Sequence, residues 1–265
     1  MMDLVRRTAR HAADFVDLYH HWLHTSVREA APAAHGRLLD VGCGAKPFEP
    51  FFAPFVTGYV GVEYQAVFSS TDASKRVTKP DLFYDGKTLP FEAHTFDTVL
   101  STEVLEHTRE PMDLVGEMAR VLKPDGTLIL TTPFALRLHE EPYDYYRFTR
   151  YGLAAMVERF GLRVVEARSF GGVWSVVGQK INSHLAFRVG RLQGFGQQLG
   201  KGAHEPTNAE RPRLWTVPLL GPPMVGISAA ARLLDRYVKD PTETLGFLVV
   251  AVGPEAQRSV GSRPR

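Results

Sequence analysis

LLDVGCGAKPF, residues 38–48, decides how this chain is read. An apolar run broken only by Asp40 ends at Gly42, and Gly44 follows two positions later. Such a run reads as a buried parallel strand. Glycines directly after it let the backbone turn sharply and approach a ligand, with N–H groups presented at the next helix start. YVGVEY at 59–64 reads as a second strand. Its Glu63 lies about twenty residues beyond the glycines, where an acid can accept from the hydroxyls of a ribose. The bland alternative is a simple turn and a surface glutamate; glycines and acid together favour a nucleoside site. A dinucleotide fingerprint wants a third glycine three residues after Gly44, and Pro47 stands there.

Working outward, DLFYD (81–85), FDTVLS (96–101), TLILTT (127–132), LRVVEARSF (162–170) and LGFLVVAV (245–252) read as further strands. Helical spacing marks residues 3–29 and 111–122, the second ending at LysProAspGly, which stops a helix and turns the chain. Thr149 is an expected N-cap for a helix to about Phe160, with Gly161 as its stop. Alternating strands and helices predict a doubly wound α/β sheet, because parallel neighbours need helical crossovers. Residues 173–240 break the rhythm with a helix, a polar stretch (GKGAHEPTNAERPR) and a second helix.

Composition limits the function classes. Of 265 residues 44% are hydrophobic and 23% charged, and the net charge is +2, an ordinary soluble balance with no footprint for nucleic acid. The one cysteine, Cys43, excludes an intrachain disulfide. The N-terminal stretch has no apolar core of signal-peptide length, so a cytoplasmic protein is expected. LWTVPLLGPPMVGISAAARLL (214–234) carries only Arg232 as a charge. Pro218, Pro222 and Pro223 are expected to break a helix in its first half. A lid over a pocket, a dimer interface or a peripheral membrane contact through 211–236 fits that stretch, with Arg211, Arg213, Arg232 and Arg236 flanking it.

LLDVGCGAKPF resembles the first motif of class I S-adenosylmethionine-dependent methyltransferases of the type 11 kind, and YVGVEY resembles their second. DGKTLPFEAHTFDTVLSTEVLEH (85–107) is similar to the stretch that supplies an adenine-side acid, the fourth strand and the loop after it. RVLKPDGTLILTTP (120–133) is similar to their helix, turn and fifth strand. The resemblance implies a Rossmann-like seven-stranded sheet with helices on both faces and an antiparallel last strand. It divides the chain into an N-terminal helical segment (1–35), a cofactor-binding core (36–172), a helical insertion or lid (173–243), the last strand (244–253) and a polar tail (254–265).

Carried onto this sequence, the resemblance places Asp40, Gly42, Cys43 (through its backbone) and Gly44 around the methionine moiety of S-adenosylmethionine. Glu63 would hold the ribose, Asp85 the adenine amino group, and Ser101, Thr102 and Glu103 the pocket near the sulfonium. Glu106 and His107 match a frequent family pair, read here as packing and capping. No metal is expected, because HisGluGlu at 139–141 lacks ligand spacing.

HEEPYDYYRFT (139–149) follows the fifth strand and can fold over the pocket mouth. Its His139, Pro142, Asp144, Arg147 and Thr149 are similar to a pattern in methyltransferases found near glycan-biosynthesis enzymes. His139 and Asp144 are the expected base or orienting groups, Tyr143 and Arg147 the expected substrate contacts. One of Tyr143, Tyr145 or Tyr146 is expected to face the sulfonium; alternatively Arg147 pairs with Asp144 or Glu141 and the tyrosines plug the gap between sheet and insertion. The function expected is in-line O-methylation of a small molecule, glycan or glycolipid. The other readings are a nicotinamide-dependent oxidoreductase, against which the missing third glycine counts, and a non-catalytic scaffold. A homodimer is compatible with the sequence.

Overall fold

The structure, a computed structural model, describes residues 15–65, 80–189, 214–238, 240 and 242–256. The start of the expected N-terminal helix, the polar stretch with Arg211 and Arg213, and the tail from residue 257 lie outside these.

One seven-stranded sheet runs in the order β3-β2-β1-β4-β5-β7-β6. Its strands are β1 (Arg37–Val41), β2 (Gly58–Tyr64), β3 (Leu82–Tyr84), β4 (Phe96–Thr102), β5 (Leu122–Pro133), β6 (Arg163–Phe170) and β7 (Gly246–Val252). The first five pair in parallel. β7 enters antiparallel between β5 and β6, as the last strand was expected to do. Strand order reverses between β1 and β4, so the loops leaving their carboxyl ends diverge and open a crevice.

Alternation along the strands feeds two cores. Leu39, Val41, Leu128 and Leu130 face α3 (Pro111–Val121) and α4 (Arg150–Glu158). Leu38, Leu100, Ile129 and Leu248 face the opposite layer, which contains Leu18, Tyr19 and Leu23 of α1 (Leu18–Ala30) and Ala231 of α6 (Val217–Tyr237). Here α5 (Val173–His184) packs on both α1 and α6. A single turn, α2 (Glu49–Phe52), follows the glycine loop. The segments set apart in the sequence, before residue 36 and after residue 172, therefore meet in one layer on the core sheet.

Two local readings need correction. The helix does stop before LysProAspGly, at Val121, but that stretch is not a free turn: it is the irregular start of β5, where pairing jumps from Phe96↔Leu122 to Thr98↔Thr127. A bulge absorbs the residues that a turn would have used. The prolines do not break the last helix either; Pro222 and Pro223 lie inside the 21 residues of α6. Pro218 sits in the first turn, where no N–H is needed. Beyond the prolines, Met224, Ser228, Ala231 and Asp235 are buried and anchor the helix.

Asp235 joins the two helices of the insertion. It is buried, and its carboxylate accepts from the backbone N–H of Gly172, Trp174 and Ser175 at 3.0–3.1 Å. These are N–H groups at the start of α5 that its own helix cannot satisfy. Asp235→Ala is expected to lose about 2–3 kcal/mol, read as a lower urea midpoint at an unchanged slope.

Candidate active site

The crevice between β1 and β4 opens into one cleft. Its floor is Gly42, Cys43 and Gly44 after β1 and Thr102 and Glu103 at the end of β4. Both glycines are left-handed, φ +73° and +53°. A side chain on Gly42 would also run into Val104, so this position needs glycine twice over. Gly42 and Cys43 donate to the Val62 carbonyl at 2.9 and 3.2 Å, and Gly44 donates to Glu63 Oε2 at 2.7 Å. Lys46 fastens the loop from the far side through Asp81, 2.5 Å away.

The other residues expected around the cofactor occupy three distinct places. Glu63 is one hydrogen bond behind the loop and also accepts from the Tyr64 N–H. Asp40 and Ser101 are buried within their strands and do not line the cleft; Asp40 accepts from the Tyr59 hydroxyl at 2.6 Å. Asp85, exposed beyond β3, accepts from the N–H of Lys87 and Thr88 at 2.8 and 2.9 Å. Burial, with Asp40 and Glu63 nearby, pushes the Cys43 thiol far above its ordinary value, which leaves its backbone as its contribution.

Glu103 is the most constrained residue of the floor. It is buried, non-glycine and left-handed (φ +56°), a conformation that surrounding contacts must impose. Those contacts are the Tyr19 hydroxyl, donated to Oε2, and the Thr131 hydroxyl, donated to Oε1 at 2.9 Å. Burial and the Glu103 charge push the Tyr19 phenol well up, so it stays a donor.

The opposite wall was not foreseen. Asp17, Tyr19, His20, Leu23 and His24, all at the start of α1, face the cleft. Asp17 caps α1 by accepting from the His20 N–H, and its second oxygen lies 2.7 Å from His20 Nδ1. Burial pushes Asp17 up, but the His20 charge and hydrogen bonds outweigh it and hold the carboxyl below its usual range. Gln179 of α5 accepts from the Leu18 and Tyr19 N–H groups and fixes where α1 starts. The sequence signal was present as Asp17-x-x-His20, an N-cap spacing, but nothing local says which way that face of the helix turns.

From the third side come Arg137, His139 and Glu140. His139 Nδ1 lies 3.2 Å from both the Arg137 carbonyl and Asp144 Oδ2. Asp144 is itself held by both terminal nitrogens of Arg147, at 2.5 and 2.7 Å, with a side chain only 1% exposed. So Arg147 pairs with Asp144, and Thr149 caps α4 by accepting from Gly152. The tyrosines stand elsewhere than expected: Tyr143, Tyr145 and Tyr146 do not line the cleft. Tyr145 and Tyr146 bond Arg109 instead. The aromatic hydroxyl in the cleft is Tyr19.

His107 backs this third wall. Its Nδ1 donates to the Tyr143 carbonyl at 2.9 Å, while Nε2 is 3.5 Å from Glu106 and 3.8 Å from Glu140. One ligand atom from each of Glu106, His107 and His139 lies within 4.8 Å of the others. The expectation of no metal rested on the linear spacing of 139–141, which cannot show that grouping.

Residues 39–130 match the family model of a methyltransferase domain. Over these residues the chain is similar to a methyltransferase domain. It is 37% identical over 112 residues to an uncharacterized methyltransferase of Mycobacterium leprae, and 35% identical over 112 to one of Mycobacterium tuberculosis. The matched part is 42% of this chain, and it spans only about two fifths of those relatives, 40% and 43%. Among solved structures, the [4+2]-cyclase SpnF shares the fold, with a TM-score of 0.50 at 22% identity, over 88% of this chain and 80% of that one. The cofactor that the sequence resemblance implies is S-adenosylmethionine. The site's geometry suits it, with a tight glycine turn under the cleft, an acid behind it and a buried carboxylate on the floor.

Two outcomes follow from this geometry. Glu63→Ala is expected to weaken S-adenosylhomocysteine binding about ten- to hundredfold by titration calorimetry, the loss of one or two charge-assisted hydrogen bonds. Burial pushes Asp144 up, but the Arg147 and His139 hydrogen bonds more than offset it, so its carboxyl titrates below the ordinary 3.8. Its stabilising contribution is therefore complete above pH 3.8 and lost as pH falls through the lower folded value. Asp144→Asn is expected to lower stability at neutral pH by about 2–3 kcal/mol and to flatten the acid limb of the urea midpoint against pH.

Proposed function

We propose that this chain is a methyltransferase that transfers the methyl group of S-adenosylmethionine to an oxygen of a small-molecule or glycan acceptor. The observation that carries the reading is the Asp17–His20 pair facing the same cleft as Gly42, Gly44 and Glu103.

S-adenosylmethionine supplies a methyl carbon already activated by the sulfonium, and the electron pair of the broken C–S bond stays on sulfur. What remains for the protein is alignment, exclusion of water and removal of the acceptor's proton. Glu103 sets negative charge at the floor, which favours a cationic ligand there. Asp17 holds the Nδ1–H of His20, so the lone pair is on Nε2, and the carboxylate stabilises the imidazolium formed when Nε2 takes the hydroxyl proton. His139 was the base expected from the sequence. Its carboxylate partner already binds a guanidinium through both oxygens, so Asp144 offers it less, and we assign His139 and Arg137 to orienting the acceptor.

Support from the family model reaches residues 39–130 only. Asp17, His20, Arg137 and His139 all lie outside the matched residues 39–130. The fold alone does not decide the reaction either, since it is shared with a chain described as a cyclase.

The test is turnover against cofactor binding. His20→Ala is expected to lower kcat about 10²- to 10⁴-fold, leave S-adenosylhomocysteine affinity within about twofold, and remove the acidic limb of the pH–rate profile. His139→Ala should act mainly on KM for the acceptor. A His20→Ala enzyme with wild-type kcat, or a chain that binds no cofactor with Gly42 and Glu63 intact, would overturn the reading.

A further inference from the structure

Helices α5 and α6 are assembled inside out for a pair that meets water. The residues they bury are small or polar: Ser175, Gly178 and Asn182 on α5, and Ser228, Ala231 and Asp235 beside Met224 on α6. A Cβ on Gly178 would come within 2.9 Å of Leu18 and 3.1 Å of Ala231. Asn182 donates to the Ser228 hydroxyl at 2.8 Å across the same interface. The large apolar side chains point outward. Trp174, Val177 and Ile181 of α5 are 38%, 43% and 43% exposed, and Leu219, Leu233 and Tyr237 of α6 are 67%, 52% and 79% exposed. A helix on a water-soluble surface turns its apolar stripe inward. Small residues and polar bonds between helices, with apolar side chains outside, are how helices associate against hydrocarbon.

We propose that the outward face of α5 and α6 is a docking surface for an anionic phospholipid bilayer, with both helices lying on the membrane at the level of the headgroups. Hydropathy agrees: the most apolar window of α6 averages 1.4, and only 17% of it is buried. Charge selects the occupant. Among the described residues of the two helices and the turn after α5, the exposed formal charges are Lys180, Arg188 and Arg236, all positive. The one acid, Asp235, is buried on the α5 N-terminus. Such a face complements anionic headgroups and would repel a second copy of itself. Trp215, 72% exposed, and Tyr237 stand near opposite ends of α6, and both residue types favour the membrane–water boundary. The helix rests on the surface and does not span it, because its inner face is bound to the core. Ser228 donates to the Val16 carbonyl, and Arg232 donates to that of Phe15.

Helix α5 connects the proposed membrane face and the cleft. Gln179, Ser183 and Phe187, at helical spacing along and just beyond α5, line the cleft, while Trp174, Val177 and Ile181 face out. Taken with the proposed methyl transfer, on which this step rests, the acceptor class becomes amphiphilic: a polar head reaches His20 while its apolar part stays in the bilayer.

Co-sedimentation of the full chain with two kinds of vesicle tests the surface: phosphatidylcholine alone, and phosphatidylcholine with phosphatidylglycerol. The chain is expected in the pellet with phosphatidylglycerol vesicles and, at high salt, to partition less. Combining Leu219→Asp with Leu233→Asp should lower partitioning at least about tenfold, with S-adenosylhomocysteine binding and the far-ultraviolet spectrum unchanged. A wild-type chain that stays in the supernatant with both vesicles would overturn the proposal. So would a dimer in sedimentation velocity that the same double substitution dissolves, since that assigns the face to a second copy. Failure of the methyltransferase reading would appear separately, as absent cofactor binding with vesicle binding intact.

Discussion

The Tyr19 hydroxyl donates to the Glu103 carboxylate inside the protein, and the placement of the cleft follows from that bond. It ties α1, which precedes the sheet in the chain, to the end of β4, where strand order reverses. Glu103 can hold its left-handed backbone only because Tyr19 and Thr131 fix both of its oxygens. Tyr19 in turn can reach it only because Gln179 and Asp17 set the first turn of α1. Without this chain of contacts the sheet would still present its glycine loop, but the wall that carries His20 and His24 would lose its polar anchor at the end of β4 and rest on the apolar packing of α1. A buried phenol against a buried carboxylate is costly unless each satisfies the other, so the pair specifies one docking of α1 more sharply than apolar contact could.

The sheet was legible because its signals are local. Apolar runs bounded by glycine marked β1 and β2, and alternation within β5 and β7 matched the two cores. The acid at Glu63 was legible as spacing. The acceptor wall was not, since Asp17 and His20 look like the polar face of an amphipathic helix until tertiary packing turns that face inward. HEEPYDYYRFT was read as one acceptor segment, and the structure divides it. His139 and Glu140 face the cleft, Asp144 and Arg147 brace them from behind, and Tyr145 and Tyr146 bond Arg109. Its composition announced a polar network; only the path of the chain separates the residues that touch the cleft from those that hold them. The prolines of α6 misled because their cost was counted without the buried anchors downstream.

Cofactor and acceptor sides also divide along the chain. The match to the methyltransferase family model, residues 39–130, falls on the side of the glycine loop and Glu63. The other walls of the cleft come from α1, from the segment after β5 and from α5, three regions that share no pattern with one another. Sheet and glycine loop can thus stay constant while the walls change, which is how one fold accommodates reactions as different as methyl transfer and cyclisation.

The bond from the Gly44 N–H to Glu63 has a thermodynamic meaning of its own. In the function proposed above, a hydroxyl that comes to Glu63 finds both carboxylate oxygens already accepting, from Gly44 and from Tyr64, so the donors must share or give way. The net gain is smaller than the bond itself, and the released amide is free to turn toward the ligand. In that function, loop and acid are already bound to one another before a nucleoside arrives, so loosening that bond offsets part of the affinity.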